Sequence, residues 1–181
     1  MRALRQVVDT IRVVARARRN RLDLVRALAR RPQLLFGTGV FELAMALSAR
    51  VDSRLKILAE LKVAALVSCE YCLDIGSEIA RDTGLREEQL RELPRYRSSD
   101  MFDDDQRLVM ELAEAMTLAP AVVDDDLKAR LAARFTQAQR AELASVIALE
   151  NHRARLNQAL GVRPSGFSDG QFCAVPEPVT A

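Results

Sequence analysis

From Asp52 to Gly161 the chain is punctuated by helix boundaries and by little else, and this spacing fixes the class of fold it can adopt. Asp52-Ser53 can cap a helix over Arg54–Val67. Gly84-Leu85, a glycine suited to the left-handed conformation followed by an apolar residue, ends the next one, Leu73–Thr83. Asp103 with Gln106 and Thr136 with Gln139 are spaced as capping boxes, and Asp124-Asp125-Asp126 puts negative charge at a further helix start. Between these signals the apolar residues keep a helical period, as in Leu108, Val109, Leu112, Ala115 and Met116. The last helix runs from Thr136 to Leu160 and stops at Gly161. Pro32 opens an earlier segment, Gln33–Ala49, interrupted by Gly37 and Gly39, and a short helix, Glu87–Leu93, ends before Pro94. Strand-like alternation is hard to find. Of the 181 residues 49% are apolar but only 4% aromatic, with no Trp, so Leu, Ala and Val must fill the core. That composition favours helices. The expectation is one all-α domain of about eight helices at residues 32–162, preceded by a basic arm, 1–31, and followed by an extended tail, 163–181.

The charge is unevenly placed. The net charge of +2 is the balance of ten arginines against Asp9 and Asp23 in residues 1–31, a net +8, and −6 in the remainder. Leu4, Val7, Val8, Ile11, Val14 and Ala15 share one helical face, which makes the arm an amphipathic helix. Such a helix can pack against its own acidic assembly or make peripheral contact with an anionic membrane surface. It has no aromatic residue to stack on bases, so nucleic acid is not expected. Arginines interrupt the N-terminal apolar run, so neither export nor a membrane span is indicated. With three cysteines there is no secreted disulfide framework, and a cytoplasmic location is expected.

Chemistry concentrates at Cys69-Glu-Tyr-Cys72, at the junction of two predicted helices. Two thiols three residues apart at a helix start can form a disulfide, and the unpaired N–H groups there favour thiolate. One sulfur can attack a substrate and the other can resolve the product. The plainer alternative is two small buried residues in a core. Cys69, Cys72, His152 and Cys173 would make a zinc set if the fold gathered them, but no second paired cluster supports it, so no metal and no cofactor are expected. Asp74 and Ser77 read as the ordinary polar face of the cysteine helix, Tyr71 as packing at the junction, His152 as a surface residue, and Cys173 as a free thiol on the tail.

The stretch Leu58-Ala-Glu-Leu-Lys-Val-Ala-Ala-Leu-Val-Ser-Cys-Glu-Tyr-Cys-Leu-Asp-Ile75 resembles the signature of the carboxymuconolactone decarboxylase and alkylhydroperoxidase D-like (AhpD-like) family. Weaker likeness continues through Leu149-Glu-Asn-His-Arg-Ala-Arg-Leu-Asn157, Ala159-Leu-Gly-Val162, Gly166-Phe167 and Phe172-Cys173. The resemblance implies an all-α fold assembled as a trimer or hexamer. In the peroxidase members it also implies a thiol peroxidase acting on hydroperoxides and re-reduced by a protein dithiol. Carried across, Cys72 attacks and Cys69 resolves. Those members have a histidine four residues after the second cysteine and a glutamate twelve before the first, which here are Gly76 and Ile57.

The departures remove the proton relay as the family writes it. Glu60, about 60° round the helix from Ile57 and roughly 4.5 Å along, is the nearest carboxylate and the candidate replacement. The decarboxylase branch does not need a cysteine pair, so Cys-x-x-Cys points to the thiol branch. The expected activity is a thiol-dependent peroxidase with catalytic Cys72, Cys69 and Glu60; the alternative is a non-catalytic oligomeric scaffold or redox-sensing module on the same fold. Restoring the relay with Gly76→His and Ile57→Glu is expected to raise turnover, within the room that position 76 allows.

Overall fold

Ser53–Val67 is the helix around which the others are arranged, because its residues are apolar on nearly every side and nine of the fifteen are buried. The computed structural model describes residues 15–20 and 22–177, together with Val8 and Arg12. Eight α-helices are present among the described residues: α1 (Asp23–Ala29), α2 (Pro32–Leu47), α3 (Ser53–Val67), α4 (Glu70–Asp82), α5 (Glu87–Glu92), α6 (Asp104–Thr117), α7 (Asp125–Arg134) and α8 (Gln137–Ala159). A 3₁₀ turn, Leu93–Arg95, carries Pro94 on from α5. The described residues contain no strand. None of the described helices is long and apolar enough to cross a membrane.

α3 packs on α4, α6 and α8 and serves two layers of core. On one side Leu58, Leu61 and Ala65 meet Leu73, Ala80, Leu90, Leu93 and Tyr96. On the other Ala59 and Val63 meet Val109, Leu112, Leu127, Leu131, Phe135, Leu143 and Ile147. Burying a leucine such as Leu58 contributes about 1.5–3 kcal/mol, so α3 supplies much of the cohesion. Two lysines are buried within α3, and each has a carboxylate partner. Lys56 Nζ donates to Glu142 at 3.0 Å and to the Ser48 carbonyl at 2.8 Å. Lys62 Nζ lies 2.5 Å from Glu177 and over the Tyr96 ring.

The caps behave as their residue types require. The Asp52 carboxylate accepts from Arg54 N–H, and both capping boxes close, Asp103 with Gln106 and Thr136 with Gln139. Gly84 has φ +88, Gly84 N–H reaches the Arg81 carbonyl, and Leu85 N–H reaches Ala80, so α4 ends in a Schellman motif.

One expected interruption is corrected. α2 runs unbroken through Gly37 and Gly39 and ends at Leu47, since a helix tolerates glycine at a modest cost in propensity. The arm's expected apolar face lies mostly outside the described residues; of it, Val8 and Ala15 are described, and both are helical, as is Arg12. The tail lacks helix, as expected, but it is a strap tied to α3 and α4, because buried polar groups on those helices need its backbone as partner. Glu177 N–H donates to the Ala65 carbonyl, and Arg81 donates to the Phe172 carbonyl. The arm joins the same surface through Arg16, paired with Glu78 and Asp82, and Arg19, paired with Asp169.

Candidate functional site

A single left-handed residue places the cysteine pair. Ser68 takes φ +59, its N–H reaches the Ala65 carbonyl, and Cys69 N–H reaches Ala64, which closes α3. Cys69 is then at once the N-cap of α4, and its sulfur accepts the Cys72 N–H at 3.2 Å. The sulfurs of Cys69 and Cys72 are joined as a disulfide, with Cα atoms 5.3 Å apart. Both residues are buried, Cys69 at 1% exposure and Cys72 at 6%.

The surroundings of Cys72 differ from the relay that the family resemblance describes. Gly76 faces Leu61, and Ile57 is buried behind it; a Cβ at position 76 would stand 2.9 Å from Leu61 Cδ2 and 3.9 Å from Ile57 Cδ1. The volume a histidine needs is occupied by leucine. α8 brings Asn157, whose Nδ2 donates to Cys72 Sγ at 3.6 Å. Asn157 is 3% exposed and its Oδ1 has no hydrogen-bond partner. A buried acceptor left in that state costs on the order of 1–3 kcal/mol.

Glu60 lies in an ion cluster. Arg153 on α8 donates to Glu60 at 2.9 Å, to Glu150 at 3.0 Å and to Glu42 with two nitrogens at 2.7 and 2.5 Å. Three carboxylates thus share one guanidinium. Burial pushes the Glu150 carboxyl up to about 8, Arg153 opposes that shift, and the neighbouring charge of Glu60 adds to it. Burial thus favours the neutral form of Glu150 within the cluster.

The other sequence candidates fall in separate places. Asp74 and Ser77, expected on a solvated face, are buried. The Asp74 carboxylate accepts the backbone N–H groups of Ser165, Gly166, Phe167 and Ser168 at 2.8–3.2 Å, a nest made by a turn in which Gly166 has φ +75. Ser77 Oγ accepts the Ala174 N–H. Tyr71 packs edge-on against Phe167, with ring centroids 6.3 Å apart, and burial raises its phenol pKa. His152 is exposed on α8, and Cys173 is a free thiol 3.9 Å from Ser77 Oγ, its pKa raised by burial. Among the described residues no three His, Cys, Asp or Glu side chains form a group able to hold a metal ion.

Asn157 and Arg153 are the residues that sequence reasoning gave no role. The available signal was their position on α8. With Glu150 they recur at i, i+3 and i+7, on the helix face that also carries the buried Leu143, Ile147 and Ala154.

The chain is similar to known proteins in sequence and in fold. The model of the carboxymuconolactone decarboxylase family matches residues 36–115, which include both cysteines. The uncharacterised protein YnjA of Escherichia coli strain K12 is 36% identical over 128 residues, 70% of this chain and 67% of that protein. Among solved structures, ATU0492 from Agrobacterium tumefaciens, a protein of unknown function linked by name to AhpD-type antioxidant defence, superimposes with a TM-score of 0.71 at 20% identity, over 76% of this chain and 94% of its own. The debrominase Bmp8 superimposes with a TM-score of 0.70 at 21% identity, over 77% and 75%. A cysteine-to-alanine form of Bmp8 has been solved in complex with 2,3,4-tribromopyrrole. These structural likenesses are of fold.

Proposed function

We propose that this chain, which belongs to the carboxymuconolactone decarboxylase family, is a thiol-dependent oxidoreductase of AhpD-like type that reduces hydroperoxides through Cys72 and Cys69. The observation that carries the reading is the sulfur pair within bonding distance at the N-terminus of α4. In the reduced protein the Cys72 thiolate attacks the terminal oxygen of the hydroperoxide. The S–O bond forms as the O–O bond breaks, and the alkoxide leaves and takes a proton, giving an alcohol and Cys72 sulfenic acid. Cys69 then displaces the hydroxyl from that sulfur, releasing water and forming the disulfide. An external protein dithiol returns two electrons and two protons. Glu60 stands beside this cycle as one of three carboxylates bound to Arg153, rather than as a lone base.

The assembly that supports this chemistry is a homo-oligomer joined through α2. No residue of α2 is buried, while Leu34, Phe36, Val40, Phe41, Leu43 and Leu47 are exposed, Phe36 at 75%. A helix apolar on all sides is ordinarily covered.

Gly76 against Leu61 favours a second reading, a redox-sensing module that forms the same disulfide without turnover. Peroxide consumption with a dithiol reductant separates the two. The enzyme reading expects many equivalents of an organic hydroperoxide consumed per chain, none by Cys72→Ser, and a single event in Cys69→Ser. Disulfide formation that stops after one equivalent, with the reductant present, supports the sensor. 2,3,4-Tribromopyrrole, found in complex with the debrominase Bmp8, is a comparison compound in the same assay.

A further inference from the structure

We propose that Asn157 sets the reactivity of Cys72, as an amide that stabilises the thiolate by donating a hydrogen bond where the fold has no room for a base. The proposal rests on the reading above for which sulfur attacks. Its observations are independent of that reading.

Three features converge on the residue. Asn157 Nδ2 lies 3.6 Å from Cys72 Sγ, within donating range of a sulfur. Asn157 is 3% exposed and its Oδ1 is buried without a partner. A buried side chain whose acceptor is orphaned while its donor faces sulfur is the kind of exception that stability does not explain, since an apolar residue of similar size would fill the space without leaving a polar atom unpaired. The third feature lies one turn further along the cysteine helix. Position 76, where a proton acceptor would stand one turn beyond Cys72, is closed by Leu61.

The charged groups on the packed elements are otherwise engaged. On α3, Glu60 is bound to Arg153 and Lys62 to Glu177. On α2, Glu42 binds Arg153, and on α8 Glu150 does the same. On α4, Asp74 is enclosed by the four N–H groups of residues 165–168. Cys69 has its own donor, the Cys72 N–H. Asn157 gives Cys72 what the helix terminus gives Cys69.

An amide cannot accept the thiol proton and carry it away at neutral pH. Asn157 therefore shifts the equilibrium of Cys72 toward thiolate, and water or the leaving alkoxide takes the proton.

The test is the ultraviolet thiolate titration of the reduced full chain in a Cys173→Ser background, with site-resolved alkylation assigning each step to Cys69 or Cys72. Asn157→Asp keeps shape and places a carboxylate at the sulfur. It is expected to raise the Cys72 pKa by at least about one unit, a tenfold loss of thiolate in the range below that pKa, and to leave Cys69 closer to its parent value. Asn157→Leu removes the donor and is expected to raise the Cys72 pKa by less, while Asn157→His, which restores a donor, returns it toward the parent. If Asn157→Asp fails to fold, Asn157→Leu and Asn157→His decide the matter by the same criterion. Variants that fold with the parent's circular dichroism and leave the Cys72 titration unchanged overturn the proposal. Because the readout is a proton equilibrium, it stands whether or not peroxide turnover is found.

Discussion

Gly76 is held to glycine by Leu61, for a Cβ at position 76 would come within 2.9 Å of Leu61 Cδ2. Leu61 is 1% exposed, so its side chain would have to shift within the core. Gly76→Ala is accordingly predicted to destabilise the fold by about 1–3 kcal/mol through overpacking, against the gain of roughly 1 kcal/mol that alanine brings to a helix interior. Adding Leu61→Ala should recover part of that loss at position 76, a coupling that a double-mutant cycle in denaturant measures.

The same contact reverses the expectation drawn from the sequence for the relay. Gly76→His with Ile57→Glu crowds Leu61 and buries a carboxylate at a position 3% exposed, so the double variant is predicted to lose stability and peroxide turnover rather than gain turnover. Thermal melting and steady-state peroxide consumption on the same preparation check both parts.

Asp74 is the anchor of the C-terminal strap. Asp74→Ala removes the acceptor of four backbone N–H groups, each costing about 1–3 kcal/mol if left buried and unpaired, so a loss on the order of 4 kcal/mol or release of the strap is predicted. Released, the strap exposes Cys173, whose alkylation rate should rise well above the parent's.

Most of the fold was legible because its signals are local. The caps at Asp52, Asp103, Asp124 and Thr136, and the stops at Gly84 and Gly161, depend on residues within five positions of one another. What was not legible depends on partners far apart. Lys62 meets Glu177 across 115 residues, Asp74 meets Ser165 across 91, and Asn157 meets Cys72 across 85. The cysteine pair could be read from its spacing, whereas its amide neighbour and the leucine that fills position 76 come from helices brought together only by packing. The α3–α4 junction was read at Val67 and the cysteine pair, but not the left-handed Ser68 that turns the chain there without a glycine.

A second consequence of the buried cluster is a dependence on pH. Burial pushes the Glu150 carboxyl from its ordinary 4.5 up to about 8, so the folded state binds more protons between those values. Its contribution to stability is full below about pH 4.5 and is lost as pH rises through 8, each pKa unit being worth about 1.4 kcal/mol. Melting temperatures compared at pH 6 and pH 9 should fall in the parent and fall less in Glu150→Gln, which stays neutral beside Arg153.

Self-association through α2 predicts that Phe36→Asp with Phe41→Asp lowers the solution mass toward the monomer while leaving helix content unchanged, because neither side chain is buried within the chain. Sedimentation velocity reads it. An unchanged mass would assign the contact to another surface.

Mass spectrometry of the reduced chain after one equivalent of an organic hydroperoxide, with thiols alkylated and sulfenic acid trapped, reads the central step at the sulfurs themselves. In the parent the predicted product is the Cys69–Cys72 disulfide with Cys173 alkylated, and in Cys69→Ser it is sulfenic acid at Cys72. Oxidation that falls on Cys69 in Cys72→Ser as readily as on Cys72 in Cys69→Ser, or that leaves both alkylated in the parent, contradicts attack by Cys72 and resolution by Cys69.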